Sequence, residues 1–258
     1  MIISRPTAAV IISSSHVVVK NNRMSMSGNN NDNDFIWTNL VPDDDNEPVR
    51  KRILTKAEAT AEAAVLPTSG STVRIKYDGS LVLASTDDGS GGMPAWTTND
   101  VLECWLKEQQ GLYDVLADPF REHSVDGSTL LDEDIFTEAY VSNTLGVANK
   151  IQCKKTIMAA KRLRKTLTEF THGDVFDSSS KPDDQDQEEQ WYEFVVGKKK
   201  TIRAMELLVS SMAVGETSRL VCRSDYGYGS DGYRTSKGDV VVPPFATLQF
   251  DVTLLSVN

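Results

Sequence analysis

Two different hydrophobic periods divide this chain. Val73, Ile75 and Tyr77 alternate with Arg74, Lys76 and Asp78, the period of two expected of a strand buried on one face. This predicts a strand over 73–83, with an earlier one over 49–54. The Gly/Ser-rich tract 86–92 offers nothing to pack and reads as a flexible joint. Beyond it the period turns helical. Thr97 and Asp100 have the spacing of a capping box, and Val101, Leu102, Trp105 and Leu106 then share one helical face. Tyr113, Leu116 and Phe120 predict a second short helix, with a fresh start near Pro119. Gly127 allows a turn before Leu130 and Leu131. A longer helix over 149–167 sets Ile151, Met158 and Leu163 near one side. Strand pattern returns over 191–196, 218–222 and 247–255, with a short helix over 203–212. The early strand needs the late ones to complete its sheet, so the helical block reads as an insertion.

Composition narrows the field. The 258 residues carry a formal net charge of −10, which argues against general nucleic-acid binding, because neutralising phosphates needs a basic surface. No apolar run approaches the roughly 20 residues that span a bilayer. Cys104, Cys153 and Cys222 lie far apart without a CxxC pair, and the three histidines are scattered. That pattern fits a reducing compartment and buried thiols, with no metal cluster and no cofactor. Residues 1–31 lack any acidic residue and carry Arg5, Lys20 and Arg23. They read as a disordered tail or a targeting leader, closed by a solvated Asn/Asp tract.

The C-terminal half carries a family pattern. Met212-Ala213-Val214-Gly215-Glu216, then Asp225-Tyr226-Gly227-Tyr228-Gly229, then Val242-Pro243-Pro244-Phe245-Ala246-Thr247-Leu248-Gln249-Phe250-Asp251-Val252 closely resemble the end of FKBP isomerases. Phe176-Asp177-Ser178-Ser179 and Phe194-Val195-Val196-Gly197 match earlier signatures in the right order. Upstream of the insertion, Tyr77-Asp78-Gly79 within 70–81 resembles the family's first long strand, and Lys51-Arg52-Ile53-Leu54 its opening strand. The resemblance implies an α+β fold: a curved antiparallel sheet wrapped on one short helix, with an aromatic pocket between them. It also implies isomerisation of X-Pro bonds, with proline-containing peptides or proteins as ligands.

By that resemblance Tyr77, Phe176, Tyr228 and Phe250 are pocket aromatics, and Asp177 accepts a hydrogen bond at the edge. Ile202, next to Thr201, offers its backbone N–H to a substrate carbonyl. Val242 lines the wall beside Val241, and Tyr233 belongs to the loop over the site. Tyr192 stands where the family usually has Phe. No nucleophile, base or metal is needed. Three features depart from the family. Met205 replaces the pocket-floor tryptophan, Ala204 and Leu208 occupy frequent glycine positions, and the loop with Tyr233-Arg234-Thr235-Ser236-Lys237 is longer. These put catalytic rate in question and imply reduced affinity for macrolides.

The block 93–168 resembles a sterile alpha motif (SAM), a five-helix interaction domain. Trp96, Val101, Trp105-Leu106, Gly111-Leu112-Tyr113, Phe120, Asp126-Gly127, Leu130-Leu131 and Leu145-Gly146-Val147 carry the likeness, followed by Ile151, Ile157 and Leu163. The segment 135–144 is longer than usual, where the fourth helix belongs. Charge is segregated here. Residues 93–138 hold eleven acidic residues against Lys107 and Arg121, whereas 139–168 hold none, beside Lys150, Lys154, Lys155, Lys161, Arg162, Arg164 and Lys165. Such modules join head to tail, acidic surface to basic helix. A plain solvated helix face, and RNA binding by that helix, are the alternatives.

The expected organisation is therefore a tail at 1–34, a discontinuous isomerase domain at 35–92 and 169–258, and a SAM-like insert at 93–168. The expected function is proline isomerisation with partner recruitment through the insert. The alternative is a catalytically weak scaffold that associates through the insert. The acidic run 183–189 reads as a solvated loop that steers basic substrates. A cytoplasmic location is expected, with organelle targeting by the tail as the alternative.

Overall fold

The structure, a computed structural model, describes residues 36–44, 46–58, 65–84, 91–180 and 190–258. The expected tail, most of the Gly/Ser joint and the acidic run 183–189 lie outside them. The alternating residues form the long strand β3, Thr72–Val82, with Val73 and Ile75 fully buried. It follows β1, Thr38–Asn39, and β2, Val49–Thr55. After the helical block come β4, Val175–Ser178, and β5, Tyr192–Val195, then β6, Thr217–Cys222, and β9, Thr247–Val257. Between β6 and β9 lies a small hairpin of β7, Tyr233–Arg234, and β8, Val240–Val242.

All neighbours in the main sheet are antiparallel, in the order β1-β2-β6-β9-β3, and β4 and β5 both pair with β3. The early strand is thus completed by the last one. Tyr77 pairs with Val252 and Gly79 with Phe250. Helix α5, Arg203–Val209, buries Ala204, Met205, Leu208 and Val209, and these join Ile75, Leu220, Val252 and Leu254 in the core. One substitution-sensitive point sits on β3. A Cβ on Gly79 would stand 2.7 Å from the Phe250 ring and 2.9 Å from that of Phe176. Only glycine lets the two rings pack across the strand.

The block between β3 and β4 is helical. Thr97 and Asp100 form the expected capping box at α1, Thr98–Asp100, which runs on as a π-helical stretch, Val101–Leu106. Then follow α2, Tyr113–Glu122, α3, Gly127–Leu131, a π-helical turn, Tyr140–Thr144, and α4, Lys150–Glu169. Trp105 stacks on Phe120 at 6.4 Å, and Phe120 meets Phe136 edge-on at 5.9 Å. Leu116, Leu130 and Leu163 close this core.

Three expectations are corrected here. Helix α2 does not restart at Pro119; the proline lies inside it. Leu116 and Phe120, both fully buried on either side of it, anchor the helix despite the missing N–H. Ile151 and Met158 do not share a face with Leu163: they are 78% and 56% exposed. Five residues of helix separate Met158 from Leu163, about 140° of rotation at 3.6 residues per turn. The buried face is instead carried by Cys153, Thr156, Ala160 and Leu163. Finally, Arg164 is not a surface cation. It is 8% exposed, and its Nη2 donates to the carbonyls of Leu130, Asp132 and Phe136 at 3.0, 3.0 and 3.2 Å, which serves the open C-terminal end of α3.

Candidate functional site

A cleft of about 810 Å³ opens between α5 and the concave face of the sheet. Strand β3 supplies Ile75 and Tyr77, and β9 supplies Phe250. Alternation aims these rings inward, while the paired register of β3 and β9 sets them side by side. Tyr77 and Phe250 have ring centroids 6.2 Å apart. Tyr228 and Gly227 enter from the turn that follows β6, and Met205 from α5. Met205 is 2% exposed, so the floor is apolar but flexible where a flat ring would be rigid.

The tyrosine hydroxyls are tied to fixed acceptors or raised in pKa. The Tyr77 hydroxyl donates to Asp177 Oδ2 at 2.7 Å. The Tyr192 hydroxyl donates to the Lys200 carbonyl at 2.9 Å, and its ring meets Tyr77 edge-on at 6.1 Å. A hydroxyl in place of the family's usual Phe therefore ties the 198–201 turn to β5. Burial raises the pKa of Tyr77, and the bond to Asp177 raises it further. Tyr228 is pushed up to about 12, by burial and then by the Asp177 charge. Tyr192 rises for the same two reasons, in the same order. All three phenols stay neutral at ordinary pH. Ile202 caps α5 with its carbonyl, which accepts from the Met205 and Glu206 N–H groups. No group among the described residues accepts from the Ile202 N–H.

The structure thus brings Tyr77, Asp177, Tyr192, Thr201, Ile202, Met205, Tyr228 and Phe250 to one cleft. Phe176 stands just outside the lining, edge-on to Phe250 at 5.5 Å and to Tyr228 at 6.2 Å. Tyr233 is 48% exposed, with its ring 5.4 Å from Tyr228. Val241 and Val242 lie outside the lining; Val242 is buried in the core. Ile75, Lys199, Lys200, Arg203, Glu206 and Gly227 also line the cleft and were not singled out by sequence as site residues. Lys199 and Lys200 directly precede Thr201, so adjacency was the available signal. Arg203 stacks at 4.4 Å over Tyr226. Among the described residues no cluster of three His, Cys, Asp or Glu could hold a metal, and no helix is long and apolar enough to cross a membrane.

An aromatic-walled cleft with charged side chains along part of its lining and a backbone N–H left open suits reversible binding of a partly apolar ligand. Comparison with known proteins names the class. A family model described as FKBP-type peptidyl-prolyl cis-trans isomerase matches residues 153–255. The chain is 37% identical over 84 residues to peptidyl-prolyl cis-trans isomerase Fkbp12 of Drosophila melanogaster, covering 33% of this chain and 73% of that protein. It is 40% identical over 87 residues to FK506-binding protein 1 of Dictyostelium discoideum, covering 34% and 71%. With FK506-binding protein 5 of Rhizopus delemar it shares 36% identity over 106 residues, 40% of this chain but only 26% of that longer protein. The chain belongs to the FKBP-type peptidyl-prolyl cis-trans isomerase family.

Proposed function

We propose that the cleft binds a prolyl peptide and accelerates rotation about its X-Pro bond. The observation that carries this reading is the shared wall of Tyr77, Tyr228 and Phe250 over Met205, with the Ile202 N–H at its margin. The X-Pro bond rotates slowly because resonance gives it double-bond character, with a barrier of about 18–20 kcal/mol. The twisted transition state has lost that resonance and much of the amide's charge separation. A water-poor aromatic wall favours it over the planar ground state. The proline ring packs against Tyr77, Phe250 and Met205, and Ile202 N–H holds a substrate carbonyl. Val241, Val242 and Tyr233 act at a distance, by supporting the loop beside Tyr228. Macrolides such as those named for the FK506-binding relatives are ligands of the same cleft, with affinity lowered by Met205.

The helical insert acts as a SAM-like module that recruits protein partners. Lys154, Lys155, Lys161, Arg162 and Lys165 of α4, beside exposed Ile151 and Met158, form its basic end, and the acidic 93–138 surface forms the complement. The three free, buried cysteines suit a cytoplasmic setting.

Met205 favours a second reading, in which the cleft binds without fast turnover and the insert supplies the function. A proline-peptide isomerisation assay separates the two. The wild type is expected to exceed background, Phe176→Ala to lose most of that rate, and Met205→Trp to gain. Background rates in all three leave only the scaffold.

A further inference from the structure

The insert and the sheet meet at a buried charge cluster. Arg223 follows directly on β6 and is 7% exposed. Its Nη1 donates to Asp100 Oδ1 at 2.5 Å. Its Nε and Nη2 grip both oxygens of Asp225 at 2.9 and 3.0 Å, the bidentate form that fixes both partners in orientation. Asp100 belongs to the insert, and its second oxygen accepts from the Thr97 N–H and hydroxyl at 2.9 and 2.8 Å. One carboxylate thus caps the insert's first helix and holds an arginine of the sheet.

Asp225 opens the turn that leads to the cleft. Ser224–Tyr226 is a 3-10 turn, and Gly229 N–H closes it on the Ser224 carbonyl at 2.8 Å. Tyr228 projects from it into the cleft. A Cβ on Gly227 would come within 2.9 Å of Leu248, so the turn is pressed against β9. Two further contacts come from the insert: Cys104 Sγ lies 3.6 Å from Asp225 Oδ1, and Ser230 donates to Glu108 Oε2 at 3.2 Å. Although burial disfavours its charge, the bonds it donates to Asp225 and Asp100 hold the Arg223 guanidinium above its usual pKa.

We propose that Asp100 of the insert is a positioning residue for the cleft: through Arg223 and Asp225 it fixes the 224–229 turn that presents Tyr228. The insert then acts on the binding site through this turn, without lining it. This rests on the prolyl-peptide reading of the cleft, and it names a regulatory consequence: a partner that shifts the insert's first helix shifts Tyr228.

The test uses the full chain, with 15N amide shifts and steady-state kinetics on a proline tetrapeptide. Asp100→Asn keeps a cap acceptor but removes the charge. It is expected to move the Gly227 and Gly229 amides and to raise KM about fivefold with little change in kcat. Asp100→Glu, which restores the carboxylate, is expected to recover both. A folded Asp100→Asn protein with those amides and KM unchanged overturns the proposal, as does a fall in kcat alone that Glu does not rescue. Should Asp100→Asn fail to fold, Glu108→Ala on the insert, which loses the bond from Ser230, is read instead: a shift at the Gly227 and Tyr228 amides supports the proposal and its absence overturns it. If the wild type itself shows no turnover, the isomerase reading fails, while the amide shifts still decide the positioning role.

Discussion

The aromatic cleft and the seam beneath the insert lie on either side of one turn, residues 224–229, yet they are held by opposite means. In the cleft, neutral rings meet edge-on or tilted at 5.5 to 6.2 Å, and the charged side chains, Asp177, Lys199, Lys200, Arg203 and Glu206, do not form a closed cluster around them. In the seam, an arginine 8% exposed at its side chain is gripped by Asp100 and Asp225, with Asp44 3.9 Å away. Ring packing tolerates small displacements, since dispersion is spread over many weak contacts. A buried ion cluster does not, because losing one partner leaves an uncompensated charge. The recognising side of the turn is therefore built to yield, and the anchoring side is built to hold.

Breaking each side should show that contrast. Phe250→Ala is expected to have the largest effect: its ring is 3% exposed and touches both Tyr77 and Phe176, so roughly 4 kcal/mol of stability goes with the cleft itself. Denaturant unfolding and the isomerisation assay both report it. Arg223→Met keeps bulk but strands Asp100 and Asp225, costing roughly 3 kcal/mol, which denaturant unfolding also reads.

A third comparison is of pH. Tyr228 holds its proton to about 12 in the fold, against about 10 in the unfolded chain. Its contribution to stability is complete below pH 10 and is lost as pH rises towards 12, since only the unfolded chain then releases the proton readily. Thermal melts should show a smaller alkaline decline in Tyr228→Phe. The smallest effect is expected at Arg74, which pairs with Glu193 at 2.6 Å while both side chains are over 40% exposed. Arg74→Ala should cost under about 1 kcal/mol, and added salt should leave the difference smaller still.

The sheet was legible because burial on one face writes itself as alternation, and Val73, Ile75 and Tyr77 carry it plainly. The cleft was legible through ordered motifs: Tyr77, Tyr228 and Phe250, far apart in the chain, line it together. Helix α4 was less so. Its buried side is made of Cys153, Thr156 and Ala160, small residues of weak hydrophobic signal, whereas the conspicuous Ile151 and Met158 face outward. The seam was not legible at all. Arg223 and Asp100 are charged residues in a charged chain, and nothing local to either announces a partner more than a hundred positions away. The capping box at Thr97 was visible, but not the second duty of its acid.

The chain leaves β3 and rejoins the sheet at β4, its antiparallel neighbour, and the two departure points are clasped: Gly173 N–H binds the Leu81 carbonyl at 2.8 Å, and Leu81 N–H binds the Asp174 carbonyl at 3.0 Å. The guest is thus an overgrown hairpin loop whose stem is already shut. Lengthening such a loop adds only a logarithmic entropic penalty, so the sheet accommodates its passenger cheaply. Replacing that passenger with a tight turn would leave the stem zipped, but it would strip Arg223 of Asp100 and Ser230 of Glu108 on the other side of the seam.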